Sequence, residues 1–129
     1  MRKLTRWPLY CAALIAVLFG IPIPEPRQPD ATSQKVALVT VQGLANALSV
    51  FHLDVGRYPS TAEGLRALVD DPGLGYWAGP YLRKGLPQDP WGRPYRYRVT
   101  AENGFDVWSW GSDGKPGGRG EATDIHVAP

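Results

Sequence analysis

The chain has 129 residues, enough for one small domain and a short appendage. A hydrophobic content of 43% excludes bulk disorder, while 15 glycines and 13 prolines make the second half loop-rich rather than densely helical. The net charge of +2 is unevenly spread: residues 1–27 hold Arg2, Lys3, Arg6 and Arg27 against Glu25, and the other ten basic and eleven acidic residues nearly cancel, so the globular part lacks the positive excess that direct nucleic-acid binding needs.

Met1 to Arg6 is basic, and Leu9 to Ile23 is almost wholly apolar. That layout belongs to a signal sequence or signal anchor. Trp7 to Ile23 is about the minimum length that spans a bilayer. The leading positive charge predicts a cytoplasmic N-terminus with everything after it exported. No A-x-A-like site follows, which favours an uncleaved anchor over a cleaved signal. Cys11, the single cysteine, has no internal partner and reads as an inert apolar residue. Pro22, Pro24, Pro26 and Pro29 then forbid a helix and favour a stiff, extended spacer. The expected organisation is a membrane segment over 1–23, a linker over 24–32 and an exported domain over 33–129.

Over residues 33–55, Ala37, Val41, Leu44, Leu48, Phe51 and Val55 recur at three- and four-residue steps, which predicts an amphipathic helix. Ser33 is its expected N-cap and Gly56 its C-cap. His52, near its end, suits the helix dipole and has no chemical partner in the sequence. Ser60-Thr61-Ala62-Glu63 has the form of a capping box and predicts a short helix to about Asp70, with Leu65, Leu68 and Val69 inward. Residues 73–94 are a long connection that Trp77, Tyr81, Leu82, Leu86 and Trp91 should pin by burying their side chains. Asp89-Pro90-Trp91-Gly92 reads as a turn. Tyr95 to Thr100 alternates as a half-buried strand, with Tyr95, Tyr97 and Val99 inward and Arg96 and Arg98 on the wet face. Asn103-Gly104 supplies a hairpin, Phe105 to Trp110 returns, and Ile125 to Val127 adds a third strand.

Between those last strands lies Trp108 to Asp124, W-S-W-G-S-D-G-K-P-G-G-R-G-E-A-T-D. Its glycines allow positive φ and inward-turned carbonyls, and it carries Asp113, Glu121 and Asp124. Carbonyls with two or three carboxylates suit a hard divalent cation, and Ca²⁺ tolerates an irregular oxygen cage. A solvated glycine-rich turn is the other reading of the same residues. An enzyme is disfavoured: a paired-carboxylate hydrolase using Asp113 and Asp124 is conceivable, but a calcium cage explains the surrounding glycines better. The chain has only two distant histidines, His52 and His126, no nucleophile–base pair and no phosphate-cradling loop. A second non-enzymatic reading is a calcium-stabilised, membrane-tethered binding module that uses its aromatic loop and does not polymerise.

Arg57-Tyr58-Pro59-Ser60-Thr61 with Glu63-Gly64-Leu65 and Ala67-Leu68 resembles the Y-P-T-x-x-x-G-L-x-A-L signature of the major pseudopilins of type II secretion. The resemblance continues through Leu86-Pro87, Asp89-Pro90-Trp91-Gly92, Pro94-Tyr95, Asp106-Val107, Gly111-x-Asp113-Gly114 and Asp124-Ile125, covering roughly residues 35–126. It implies an α+β fold: an N-terminal helix packed on a small three-stranded antiparallel sheet, with a C-terminal calcium loop. It also implies a non-catalytic protein of the Gram-negative inner membrane, single-pass, with its C-terminal domain in the periplasm. The implied partners are other pseudopilins, secretion-system inner-membrane proteins and copies of itself, while the near-neutral charge of the domain argues against direct nucleic-acid binding. By position, the resemblance makes Asp113 and Asp124 side-chain ligands of Ca²⁺ and Trp110, Lys115 and Ala122 carbonyl ligands, with Glu121 a further ligand or neighbour. The family's Gly-Phe-Thr-Leu-x-Glu leader is not found in this sequence, and prolines separate the apolar run from the next helix.

Overall fold

The computed structural model describes residues 31–129 except Glu102. The expected membrane segment, Cys11 and the proline spacer over residues 1–30 lie outside the described residues. The order of elements is helix α1 (Ala31–Val55), a 3-10 helix (Gly64–Leu68), strands β1 (Arg96–Thr100) and β2 (Gly104–Ser109), a 3-10 turn (Gly120–Ala122) and strand β3 (Ile125–Val127). The strands form one antiparallel sheet in the order β1-β2-β3.

The apolar stripe read from the sequence is the buried face of α1. Ala37, Val41, Leu44, Leu48 and Phe51 are buried, Ala45 and Ala47 widen the face, and Val55 packs at its edge. Ser33 is not a cap, because the helix already runs through it from Ala31 and includes Thr32, which the sequence reading gave to the linker. Gly56 does end the helix: its φ of +84° suits glycine, and its N–H donates to the His52 carbonyl at 2.8 Å. By length and composition Thr32–Val55 could cross a membrane, but here one face of it belongs to the core.

The capping box forms in both directions. Glu63 N–H donates to Ser60 Oγ at 3.1 Å, and Ser60 N–H donates to Glu63 Oε2 at 2.9 Å. Arg57 adds a bidentate grip on Glu63 at 2.8 and 2.9 Å, and these hydrogen bonds hold the Glu63 carboxyl below its ordinary range. The short helix expected after it does follow, but it ends at Leu68 and has the 3-10 form. Gly64 takes φ +62°, which breaks the α path, and the chain resumes as a 3-10 helix. The three-residue period of that helix aligns Leu65 with Leu68, and Ala67 is buried where Val69 was expected, Val69 being only half-buried.

The aromatic residues pin the long connection as expected. Trp77 Nε1–H donates to the Ala67 carbonyl at 2.8 Å, and Trp77 and Tyr81 meet edge to face. Tyr81 in turn meets Phe51 of α1 at 5.5 Å and donates its hydroxyl to Asp54 at 3.0 Å. Leu82 and Trp91 pack against the core, whereas Leu86 is 36% exposed and pins nothing.

β1 begins at Arg96, one residue later than the alternation suggested, and β2 ends at Ser109, so Tyr95 and Trp110 flank the strands. Phe105, Val107 and Ser109 face α1. Val99, expected inward, is 37% exposed, since it lies near the hairpin tip beyond the reach of the helix. Asn103 makes the turn at φ +61°. The arginines of the outer face are stacked rather than merely solvated. Arg96 sits 3.7 Å over Trp110, Arg98 sits 5.5 Å over Trp108, and Trp108 stacks on His126.

Tyr97 ties this sheet to the turn before the capping box by donating its hydroxyl to the Pro59 carbonyl at 2.7 Å. Burial pushes its phenol above the ordinary value of 10.0. A folded-state pKa raised above the unfolded one means stability that is complete below pH 10 and is lost as pH rises further. Urea midpoints should therefore fall progressively above that pH. Tyr97→Phe should remove its share of the alkaline loss and cost about 1 kcal/mol at neutral pH.

Candidate metal centre

The segment from Trp110 to Asp124 leaves β2, loops out and returns over its own start before entering β3. Two glycines permit the return. At Gly111, φ +70°, an added Cβ would lie 2.7 Å from the Glu121 carbonyl oxygen and 2.8 Å from that of Thr123. At Gly118, φ +100°, it would collide with the Ala122 carbonyl. Both positions therefore exclude any side chain. The closure is held by Ser112 N–H donating to the Glu121 carbonyl at 3.0 Å and by the 3-10 turn at Gly120–Ala122.

The sequence-predicted ligands fall on both limbs of this loop. Asp113 is exposed, and its Oδ1 accepts from Lys115 N–H at 3.1 Å, so it organises the outgoing turn. Asp124 Oδ2 accepts from Gly117 N–H at 2.9 Å and lies 3.8 Å from His126 Nε2. Asp124 Oδ1 and Glu121 Oε1 are buried without a hydrogen-bond partner. Among the described residues, no hydrogen bond ends on the carbonyls of Trp110, Lys115 or Ala122. Also among the described residues, no three carboxylate, histidine or cysteine side chains gather together, so a cation here would draw on backbone carbonyls as much as on side chains. Free carbonyls and unpartnered carboxylate oxygens are donors of the kind a hard cation takes.

Three residues that the sequence reading passed over hold this loop in place. Asp89, read only as the start of a turn, is buried. Its Oδ1 accepts from the N–H groups of Trp91 and Arg93 at 3.1 and 2.8 Å, and its Oδ2 accepts from Ser109 Oγ–H at 2.7 Å. Ser109 Oγ accepts in turn from Gly111 N–H at 3.2 Å, so the network reaches the root of the loop. Arg93 donates to the Gly111 carbonyl at 3.1 Å and to that of Ser112 at 3.3 Å. Gln34 of α1 donates to carbonyls of the returning limb. Asp89 and Arg93 stand inside D-P-W-G-R-P, whose turn chemistry was visible, but local sequence gives no cue that a turn carboxylate is buried.

The profile of the family described as type II secretion system (T2SS), protein G, matches residues 26–128. The type II secretion system core protein G of Vibrio cholerae serotype O1 is 36% identical over 135 residues, covering 97% of this chain and 92% of that protein. Its namesake in Pseudomonas aeruginosa is 37% identical over 118 residues, covering 87% and 83%. The crystal structure of the major pseudopilin from the type 2 secretion system of enterohaemorrhagic Escherichia coli superimposes with a TM-score of 0.58 at 33% identity, covering 73% of this chain and 84% of that one. With this coverage, the α1-on-sheet architecture and the ordered motifs from Tyr58 to Ile125 have one explanation: the chain belongs to the type II secretion system protein G family, the major pseudopilins.

Proposed function

We propose that the chain is a major pseudopilin whose C-terminal loop closes around one Ca²⁺ and whose subunits assemble with one another in a membrane-tethered secretion fibre. Family membership makes it a non-enzymatic component of type II secretion, with other proteins of that system as its partners. The calcium, the periplasmic placement of the domain and the self-assembly are our reading. Asp113 and Asp124 would supply carboxylates and Trp110, Lys115 and Ala122 would supply carbonyls, with Glu121 beside them. The observation that carries the calcium is the pair of buried oxygens, Asp124 Oδ1 and Glu121 Oε1, that no donor in the described fold satisfies. A bound cation would neutralise them and cross-link the outgoing limb to the returning one.

Self-assembly draws support from the other face of α1. Val36, Val39, Val50 and Leu53 stand opposite the core, with Val39 71% and Leu53 81% exposed. With Gly43 and Asn46 they fall at alternating steps of three and four, the spacing of a seam between helices. The binding-module alternative is less favoured, because Trp77 is engaged in packing the connection and Trp91 packs against the core. Cysteines placed at Val39 and at Leu53 of the full chain, in a Cys11→Ser background, test the assembly. Oxidation in membranes should give linked dimers from each single-cysteine variant and a ladder of linked subunits when both cysteines are in one chain. A strictly monomeric product at both positions would contradict self-assembly and favour the tethered module.

A further inference from the structure

We infer that Gln34 is a positioning residue for the cation loop, turning the Ala122 carbonyl toward the cation and coupling cation binding to the docking of α1. This rests on the calcium reading above and extends it from the loop to the helix.

Gln34 lies in the first described turns of α1, 86 positions before Gly120 in the chain. Its Nε2 donates to the Glu121 carbonyl at 2.7 Å and lies 3.2 and 3.4 Å from those of Gly120 and Thr123. One side-chain amide thus gathers the carbonyls on both sides of Ala122 and leaves Ala122 out. The Ala122 carbonyl lies instead over Gly118, on the outgoing limb, where only a glycine leaves room for it. The Glu121 carbonyl is further fixed by Ser112 N–H at 3.0 Å. With its neighbours held toward α1, the Ala122 carbonyl is directed into the loop. Gln34 and Asp124 also line one groove of 330 Å³ together with Lys35, Leu38, Ile125 and His126, so the helix and the carboxylate share a surface. The amide suits this role because it donates without bringing a positive charge against the cation.

Linkage makes the relation reciprocal. If the Gln34 contact favours the cation-ready loop, then the cation favours the docked helix by the same factor. The test uses the full chain in detergent micelles, with calcium as the probe. Calorimetric titrations compare the wild type with Gln34→Ala and Gln34→Glu, and amide hydrogen exchange over residues 35–40 is followed in calcium and in chelator. Groups that orient a metal's ligands typically change affinity by about 10–100-fold, and a loss of at least about tenfold is expected for both variants. Gln34→Glu keeps the length but sets a carboxylate against carbonyl oxygens, so it should not rescue. Calcium should slow exchange over residues 35–40 in the wild type and much less in the variants, whose melting temperatures in chelator should stay close to that of the wild type.

Wild-type calcium affinity in Gln34→Ala would overturn the inference and leave the calcium reading intact. So would equal losses of stability in calcium and in chelator, which would make Gln34 a plain strut. Wild-type exchange over residues 35–40 that ignores calcium would overturn the coupling even if a variant failed to fold. No calcium binding by the wild type would overturn the calcium reading, and this inference with it.

Discussion

Replacing Asp89 with alanine is expected to remove about 4 kcal/mol of stability, since it strands three donors that now share one buried carboxylate and each stranded donor costs about 1–3 kcal/mol. The donors are the N–H groups of Trp91 and Arg93 and the hydroxyl of Ser109. A domain of this size has total stability on the order of 5–15 kcal/mol, so the variant should stand near the edge of folding. Asp89→Asn separates charge from shape. Its carbonyl oxygen can still serve both N–H groups, and Ser109 can accept from the new amide, so a loss of about 1–2 kcal/mol is expected. Urea unfolding of the full chain checks both, with a lowered midpoint and an unchanged slope. Because Ser109 also receives Gly111 N–H, the alanine variant should loosen the base of the Gly111–Asp124 loop as well as the Asp89–Gly92 turn. A near-neutral Asp89→Ala would mean that the turn holds itself without its carboxylate.

The fold was largely legible because its strong signals are periodic. The stripe from Ala37 to Phe51 follows the helical period, and it is buried at every step. The capping box and the hairpin asparagine rest on short-range chemistry, and both appear where that chemistry places them. Misreadings arose where tertiary context overrode a local pattern. The short helix after the capping box ends at Leu68 rather than near Asp70 and so leaves Val69 only half-buried, and Val99 lost its inward role because the hairpin tip extends past α1. Ser33 has the chemistry of a cap, but the helix starts before it.

The candidate metal centre was legible as a segment and in its residue types, since glycines and carboxylates announce themselves. Its supports were not. Gln34 looks like any polar residue of a helix face, and only the fold brings it to Glu121. Asp89 reaches Ser109 across 20 positions, a separation that no turn signal reveals. The outer sheet face shows the same limit. Arg96 and Arg98 alternate as a solvated pattern would, and the stacking on Trp110 and Trp108 comes from register.

The second large effect is that of calcium. A ligand that binds only the folded chain adds about 2.7 kcal/mol at a hundredfold excess over its dissociation constant, or about 10–20 °C in melting temperature for a domain this small. Asp124 should carry most of this, because its unpartnered oxygen is buried on the returning limb. Asp113 should contribute from the outgoing limb, where it already shapes the turn at Lys115. Asp113→Ala therefore has a small cost of its own in chelator, and the informative quantity is each protein's calcium-minus-chelator difference. The measurement is a thermal melt of the full chain in excess calcium and again in chelator, for the wild type, Asp113→Ala and Asp124→Ala. The wild type should shift by about 10–20 °C, and the shift should be lost in Asp124→Ala and clearly reduced in Asp113→Ala. A wild type that melts at the same temperature in both conditions, or variants that keep the full shift, would contradict the calcium reading.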